Sequence, residues 1–229
     1  AGIRRMLLKI FEEKRTERTR GGMAGFTEAL LEERFFFMRL ASGSVGGKGR
    51  GLSFIEYILS RADLDRRLPG ITVRLPRTAI IGTDEFHLFT ERLGLPRILS
   101  LENRDEIRRL FLSKPLSTAI RERLRALLRV MRGPLAVRSS GLFEDSLSQP
   151  FAGIYETYFL PNNHPDESVR LAQLEEAIRL VFASVYLPEA RAYFSAACYE
   201  IEEEKMAVVI QEVVGRQTGN LFFPHVSGV

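Results

Sequence analysis

The chain alternates between stretches with apolar residues at helical spacing and short runs of apolar, β-branched residues. The helical spacing of three and four residues predicts helices within 52–59, from about Thr83, around Ile107, from near Pro115 to Met131, from about Ser168 and after Pro188. The apolar runs predict strands at Thr78–Ile81, in PLAVRSS, in FAGIYETYFL and in MAVVIQEVV, with GNLFFP as the antiparallel partner of the last. We therefore predict a fold of the α+β class in which helices outnumber strands.

The first 40 residues differ in character from the remainder. Ile3, Met6, Leu7 and Ile10 follow helical spacing, and a glycine pair at 21–22 would end that helix. This section shows no catalytic pattern. We predict that residues 1–40 form a helical lead-in or a linker from an upstream module, and that residues 41–229 form a domain.

Composition narrows the class of protein. Of the 229 residues, 45% are hydrophobic and 27% are charged, as in ordinary globular domains. No apolar run has the length of a membrane span, and the N-terminal residues are too charged for a signal peptide. The single cysteine, Cys198, cannot form an internal disulfide, which favours a reducing compartment. We expect a soluble, cytoplasmic protein with no membrane partner.

The charge pattern gives little indication of nucleic-acid binding. The net charge of +4 is small for this length, and the arginines stand beside acidic residues in strings such as ENRDEIRRL. Such alternation is typical of a solvated helix face. We therefore expect no nucleic-acid partner.

A glycine-rich loop, SVGGKGRGL, contains Lys48, in a chain where lysine is scarce. A Walker A loop requires glycine at the position of Ser42 and a hydroxyl residue at that of Gly49, and a dinucleotide fingerprint fails at its third glycine. The glycines would still allow backbone N–H groups to converge on an anion, near the positive end of a helix starting around Gly49. The alternative is a flexible linker whose lysine maintains solubility.

Arg138 follows the apolar run 135–137 and precedes two serines. Its planar guanidinium suits bidentate binding of a phosphate, although it could equally pair with Glu144 or Asp145. Ser139 and Ser140 could bind phosphate oxygens, or they could cap a helix or a turn. The segment alone does not decide between these interpretations.

Two later segments carry polar residues at the ends of predicted strands. In FAGIYET, Gly153 permits close backbone approach and Thr157 lies on the same side of the strand, so this hairpin could cover phosphates. It could also be a strand with a bulge and an exposed threonine. Gln211 and Glu212 form a polar pair near the end of the strand MAVVIQEVV. They could mark where the strand leaves the core, or they could lie where an adenine base binds.

Taken in order, GGKGRGL, PLAVRSSGLFED, FAGIYET and MAVVIQEVV closely resemble the N-terminal nucleotide-binding domain of phosphoenolpyruvate synthase and pyruvate phosphate dikinase. LPRTAIIGTDEFHLF and VFASVYLPEARAYF resemble the intervening parts of the same domain. The resemblance covers about 43–229, and the order of several independent motifs makes it specific.

The resemblance implies an ATP-grasp fold with ATP between two subdomains. Carried over by motif, Lys48 and Arg138 would contact the ATP phosphates and serve the reaction. Gly153 and Thr157 would belong to the loop covering those phosphates, and Gln211 would lie beside the adenine. In this family ATP phosphorylates a histidine on a separate domain, and the phosphohistidine then converts pyruvate to phosphoenolpyruvate.

The sequence also departs from the family pattern. The acidic Mg²⁺ ligands and the late glutamine–arginine pair would follow the last predicted strand, beyond the end of this sequence, and no phosphohistidine motif is present. His87, His164 and His225 stand in helix and loop contexts typical of surface residues. We expect a partial ATP-grasp domain that lacks its C-terminal subdomain, contains no metal site and does not complete catalysis alone.

Two alternatives keep the fold but change the function. One is a phosphotransferase of the same superfamily with an antibiotic or a glucan as acceptor. The other is a regulatory or interaction module that retains the fold without catalysis. The choice between acceptors would be made by domains outside this chain.

Overall fold

A computed structural model describes residues 24–27, 37–141 and 153–226. The helices are α1 (Gly46–Arg61), α2 (Leu64–Arg67), α3 (Thr83–Leu93), α4 (Leu95–Leu99), α5 (Arg104–Leu112), α6 (Thr118–Val130), α7 (Glu167–Ser184) and α8 (Pro188–Ala196), with a 3₁₀ turn at Ile201–Glu203. The strands are β1 (Ala24–Gly25), β2 (Phe37–Ala41), β3 (Thr78–Ile81), β4 (Leu135–Ser140), β5 (Thr157–Leu160), β6 (Ala207–Glu212), β7 (Arg216–Thr218) and β8 (Leu221–Phe223).

Six strands form one mixed sheet in the order β1-β2-β3-β6-β4-β5. The first three of these strands are parallel, whereas β6 runs antiparallel to both of its neighbours, β3 and β4, and β5 is antiparallel to β4. Helices and a mixed sheet together confirm the α+β class.

The two faces of the sheet bury different sets of side chains. One face packs against helices α3 to α8 in a large core, to which the sheet contributes Met38, Ile81, Val137 and Val208. The opposite face carries a smaller cluster that packs against α1, consisting of Phe37, Ile80, Ala207 and Val209 with Val45 and Leu52 beside them. Successive residues along each strand therefore point in turn towards the large core and towards α1.

Several predicted elements are confirmed at or near their expected bounds. β3 spans Thr78–Ile81 as predicted. Asn103 caps α5, because its side chain accepts hydrogen bonds from the backbone N–H groups of Asp105 and Glu106. The predicted core stripe of α6 is buried: Leu116, Ile120, Leu124, Leu127 and Met131. α7 begins after Asp166, whose side chain accepts from Ser168 N–H, and α8 begins at Pro188.

The predicted partner of the last long strand was wrong. Leu221–Phe223 pairs with Arg216–Thr218 in a separate two-stranded hairpin, and not with Ala207–Glu212. That long strand is central to the large sheet, where both of its edges are already occupied by β3 and β4. A local turn therefore does not supply its partner.

The N-terminal lead-in lies mostly outside the described residues, and the domain boundary at residue 40 stays a prediction. Phe37–Ala41, at this boundary, form a strand of the main sheet. In the part of the chain with a described structure, no helix combines the length and apolar character needed to cross a bilayer.

Candidate functional site

The first turn of α1 packs directly against the end of β4. The helix begins inside the glycine-rich loop, at Gly46, and not near Gly49 as predicted. Gly46 has φ +65°, and a Cβ placed there would lie 1.8 Å from the carbonyl oxygen of Ser140. Only glycine permits both this backbone conformation and this approach. The glycine at this position therefore allows the helix carrying Lys48 to contact the strand carrying Arg138.

The hydroxyl of Ser140 joins the same two elements. Its Oγ accepts a hydrogen bond from Gly49 N–H (3.1 Å) and donates one to the Val45 carbonyl oxygen (2.8 Å). These are the two groups that the first α-helical hydrogen bond would connect. Because Ser140 is fully buried and both its hydrogen-bonding functions are used, its place is structural, and it is not exposed to bind a phosphate.

Other backbone groups of the loop also bond within the protein. Gly47 N–H donates to the carbonyl oxygen of Gly141 at 3.2 Å, and Gly46 N–H donates to Ser44 Oγ at 3.3 Å. With Gly49, three glycine N–H groups thus have protein acceptors. The expected convergence of glycine N–H groups on an anion was wrong, because these glycines serve close packing of the helix.

Thr83 holds the other side of the loop. Its Oγ1 accepts from Ser44 N–H at 3.0 Å, and its own N–H donates to the Ser44 carbonyl oxygen at 2.9 Å. The sequence predicted Thr83 as a helix cap, but Gly82 occupies that position and Thr83 is the first residue of α3. The loop with Lys48 is therefore fixed from both sides, by Thr83 and by Ser140.

Lys48 is half-buried in the first turn of α1 and reaches the end of β4. Its Nζ donates a hydrogen bond to Ser139 Oγ at 3.4 Å, across 91 positions of sequence. Ser139 is the residue directly after Arg138. The structure therefore brings the two predicted phosphate-binding cations to the same end of the same strand.

Arg138 lies on the face of the sheet that packs against α1. It is directly opposite Val209 on one neighbouring strand and Thr157 on the other, and Val209 belongs to the cluster beneath α1. Arg138 is half-buried, and no hydrogen bond or ion pair of its guanidinium occurs among the described residues. Glu144 and Asp145, the alternative partners, lie outside those residues.

Gln211 is a diagonal neighbour of Arg138 on this face. Gln211 is two residues beyond Val209 on β6 and opposite Ala136, so Cα atoms of Arg138 and Gln211 are about 7–8 Å apart. Its amide nitrogen donates to Thr78 Oγ1 at 3.0 Å. The predicted base contact is thus on the same surface as the predicted phosphate contact.

The segment from Gly153 to Thr157 begins with an exposed glycine at φ +83° and ends with an exposed threonine. The two residues before Thr157 anchor it. The hydroxyl of Tyr155 donates to Glu204 Oε2 at 2.5 Å in a buried contact, and Glu156 Oε1 accepts from Arg104 at 3.1 Å. Thr157 consequently has a fixed place opposite Arg138, whereas no described contact joins Gly153 to the other predicted residues.

A second arginine and a tyrosine complete the anchor at Glu156. Arg108 Nη2 lies 2.5 Å from Glu156 Oε1, and the hydroxyl of Tyr158 donates to Glu156 Oε2. Burial, followed by the hydrogen bond to this carboxylate, raises the pKa of Tyr158 above its ordinary value. The hydroxyl therefore stays protonated and remains a donor near neutral pH.

Lys48, Arg138, Thr157 and Gln211 form the candidate site, which offers two cations, a hydroxyl and an amide. Sequence reasoning missed the groups to which Ser140, Thr83 and Thr78 form hydrogen bonds. Their partners lie 39 to 133 positions away in the chain. Only the strand pairing could have indicated them, and the pairing was not predicted.

No metal site is apparent in the described residues. They contain no group of three or more His, Cys, Asp or Glu side chains that could hold a metal ion. We assign no Mg²⁺ ligand to them.

Comparison with known proteins identifies the family of the chain. A family model described as the pyruvate phosphate dikinase AMP/ATP-binding domain matches residues 42–229. This confirms the resemblance found in the sequence motifs. A search of curated proteins gives no match. Since the family model covers most of the chain, the protein belongs to the pyruvate phosphate dikinase family through its AMP/ATP-binding domain.

Proposed function

We propose that this chain is the ATP-binding portion of a phosphoenolpyruvate synthase-like phosphotransferase with an ATP-grasp fold. ATP phosphorylates a histidine on a separate domain, and the phosphohistidine then converts pyruvate to phosphoenolpyruvate. Lys48 and Arg138 bind the phosphates, Gly153 and Thr157 belong to the segment covering them, and Gln211 lies beside the adenine. ATP binds together with Mg²⁺.

One observation carries the proposal. Lys48 Nζ lies 3.4 Å from Ser139 Oγ, and the neighbouring residue of β4, Arg138, is half-buried and has no polar side-chain partner within the described ranges. A charged group that is partly desolvated is stabilised by an opposite charge. Arg138 offers a planar fork that fits phosphate oxygens, and Lys48 adds a point charge.

This arrangement suits phosphoryl transfer. The protein contributes to that reaction chiefly by positioning the phosphates and neutralising their charge. The cations come from two different elements, and the Ser140 and Thr83 hydrogen bonds hold the loop bearing one of them. Positions fixed before the nucleotide binds reduce the reorganisation that transfer requires.

The first test measures ATP affinity by calorimetry in the full-length protein. Replacing Lys48 or Arg138 by alanine should weaken ATP binding by about 1–3 kcal/mol each, because a charge-assisted hydrogen bond is lost. Lys114→Ala and Arg125→Ala are matched controls, since both side chains are exposed and distant from the candidate site in the fold. If both site variants bound ATP with the affinity of the wild-type protein, Lys48 and Arg138 would not be part of the nucleotide site.

A second test addresses the acceptor. After incubation with ATP, the full-length protein should carry an acid-labile, base-stable phosphate, as expected for phosphohistidine. Addition of pyruvate should discharge that phosphate and yield phosphoenolpyruvate. ATP binding without any such phosphate would keep the nucleotide site and contradict the proposed reaction.

A further inference from the structure

The amide of Gln211 has one defined orientation. Thr78 has a single hydroxyl hydrogen, which it donates to the Pro76 carbonyl oxygen at 2.9 Å. Because that carbonyl is an acceptor only, Thr78 Oγ1 must act as an acceptor towards its other neighbour. The group of Gln211 that lies 3.0 Å from Thr78 Oγ1 is therefore the NH₂ group and not the amide oxygen.

The strand pairing strengthens this contact. Thr78 and Gln211 are directly opposite each other, and the adjacent pair is joined by a hydrogen bond from Glu212 N–H to the Arg77 carbonyl oxygen. Thr78 and Gln211 are thus a non-hydrogen-bonded pair, in which side chains approach more closely. Thr78 is fully buried, so water does not compete for its hydroxyl.

The orientation determines what Gln211 offers to a base. Because the NH₂ group of Gln211 is bound to Thr78, the amide oxygen points away from Thr78 and is available as a hydrogen-bond acceptor. Adenine carries an amino donor at position 6, whereas guanine and hypoxanthine carry an oxygen acceptor there. An acceptor facing another acceptor is unfavourable, and a buried polar group left unpaired costs binding energy.

We propose that Thr78 is a specificity-determining residue that favours 6-aminopurine over 6-oxopurine nucleotides by orienting the Gln211 amide. This inference rests on the proposed function, in which Gln211 lies beside the base. Thr78 itself acts through Gln211 and does not touch the nucleotide. It therefore controls the choice of base without contributing to phosphate binding.

The experiment compares the affinities of ATP and ITP for the full-length protein. ITP differs from ATP in its base alone, with an oxygen in place of the 6-amino group and a hydrogen on N1. We expect the wild-type protein to prefer ATP by ~10-fold or more. Thr78→Val retains the shape and removes the hydroxyl, so the amide can turn its NH₂ group to the 6-oxygen. The preference should fall by ~10-fold through tighter ITP binding, with ATP affinity changed by less than ~3-fold.

Three further variants control for folding and position. Thr78→Ser keeps the hydroxyl and should keep the preference for ATP. Thr72→Val, at an exposed threonine before β3, should leave both affinities unchanged. Gln211→Met removes the oriented amide from a half-buried position and should abolish the preference even if Thr78→Val fails to fold.

The outcomes separate this inference from the proposed function. If the wild-type protein binds ATP and either Thr78→Val or Gln211→Met retains the full preference, the inference is overturned and the nucleotide site stands. Equal affinity of the wild-type protein for ATP and ITP also overturns it. If the wild-type protein binds no ATP, the proposed function fails together with the inference.

Discussion

Gly46 determines, at the scale of single residues, how closely the helix carrying Lys48 approaches the strand carrying Arg138. Its positive φ and its contact with the Ser140 carbonyl leave no room for a side chain. Gly51 lies five residues after Gly46 in the same helix. A Cβ added to Gly51 would have no other atom within 4 Å. The two glycines thus have different reasons to be glycine, and substitution separates them.

Gly46→Ala should lower the free energy of unfolding by at least ~2 kcal/mol, because it combines left-handed backbone strain with a steric clash. Gly51→Ala should instead raise it by about 0.5–1 kcal/mol, since alanine is favoured over glycine in a helix. Urea denaturation of both variants beside the wild-type protein measures the difference. Equal stability of the two variants would contradict the close contact described at Gly46.

At the scale of the elements, arginines cap the C-terminal ends of several helices. Arg191 donates to the carbonyl oxygens of Ile98 and Leu99 at the end of α4, Arg179 to that of Leu112 at the end of α5, and Arg170 to that of Leu128 near the end of α6. A positive charge there satisfies free carbonyls and opposes the negative end of the helix dipole. The chain contains 28 arginines and 5 lysines. Helix capping accounts for part of this preference for arginine.

The cap at α6 gives a prediction for stability. Arg170 is buried, and it donates to the Leu128 carbonyl oxygen at 3.1 Å and to Asn162 Oδ1 at 3.4 Å. Arg170→Met keeps much of the volume but leaves buried acceptors without a donor, which should cost about 1–3 kcal/mol of unfolding free energy. Thermal denaturation should show this loss, whereas Arg125→Met, at an exposed position of α6, should be neutral. An unchanged melting temperature for Arg170→Met would refute the capping role.

The elements also show which features were predictable from sequence. β3 was found because its four residues form an apolar run that is buried on both faces, and α6 and α7 were found because the spacing of their apolar residues indicates which face is buried. The start of α1 was missed because glycine has a low helix propensity, and the close contact with β4 overrides that preference. The partners of β6 were missed because β3 and β4 are more than 60 residues away in the chain.

At the scale of the whole molecule, the fold brings side chains from distant segments to one mixed sheet. Arg138 on β4, Thr157 on the edge strand β5 and Gln211 on β6 share one face, and Lys48 reaches the end of β4 from the first turn of α1. The sequence could indicate these residues by their motifs and order. Their mutual arrangement depended on strand pairing, which periodicity does not encode. The chain matches the pyruvate phosphate dikinase AMP/ATP-binding domain, and we propose this face as the nucleotide site.

A crystal structure of the full-length protein with a non-hydrolysable ATP analogue would show directly whether Lys48 and Arg138 bind the phosphates. We predict phosphate oxygens within ~2.7–3.2 Å of both Lys48 Nζ and the Arg138 guanidinium, with the adenine next to Gln211. A triphosphate bound elsewhere on the protein, or one that contacts neither cation, would contradict it.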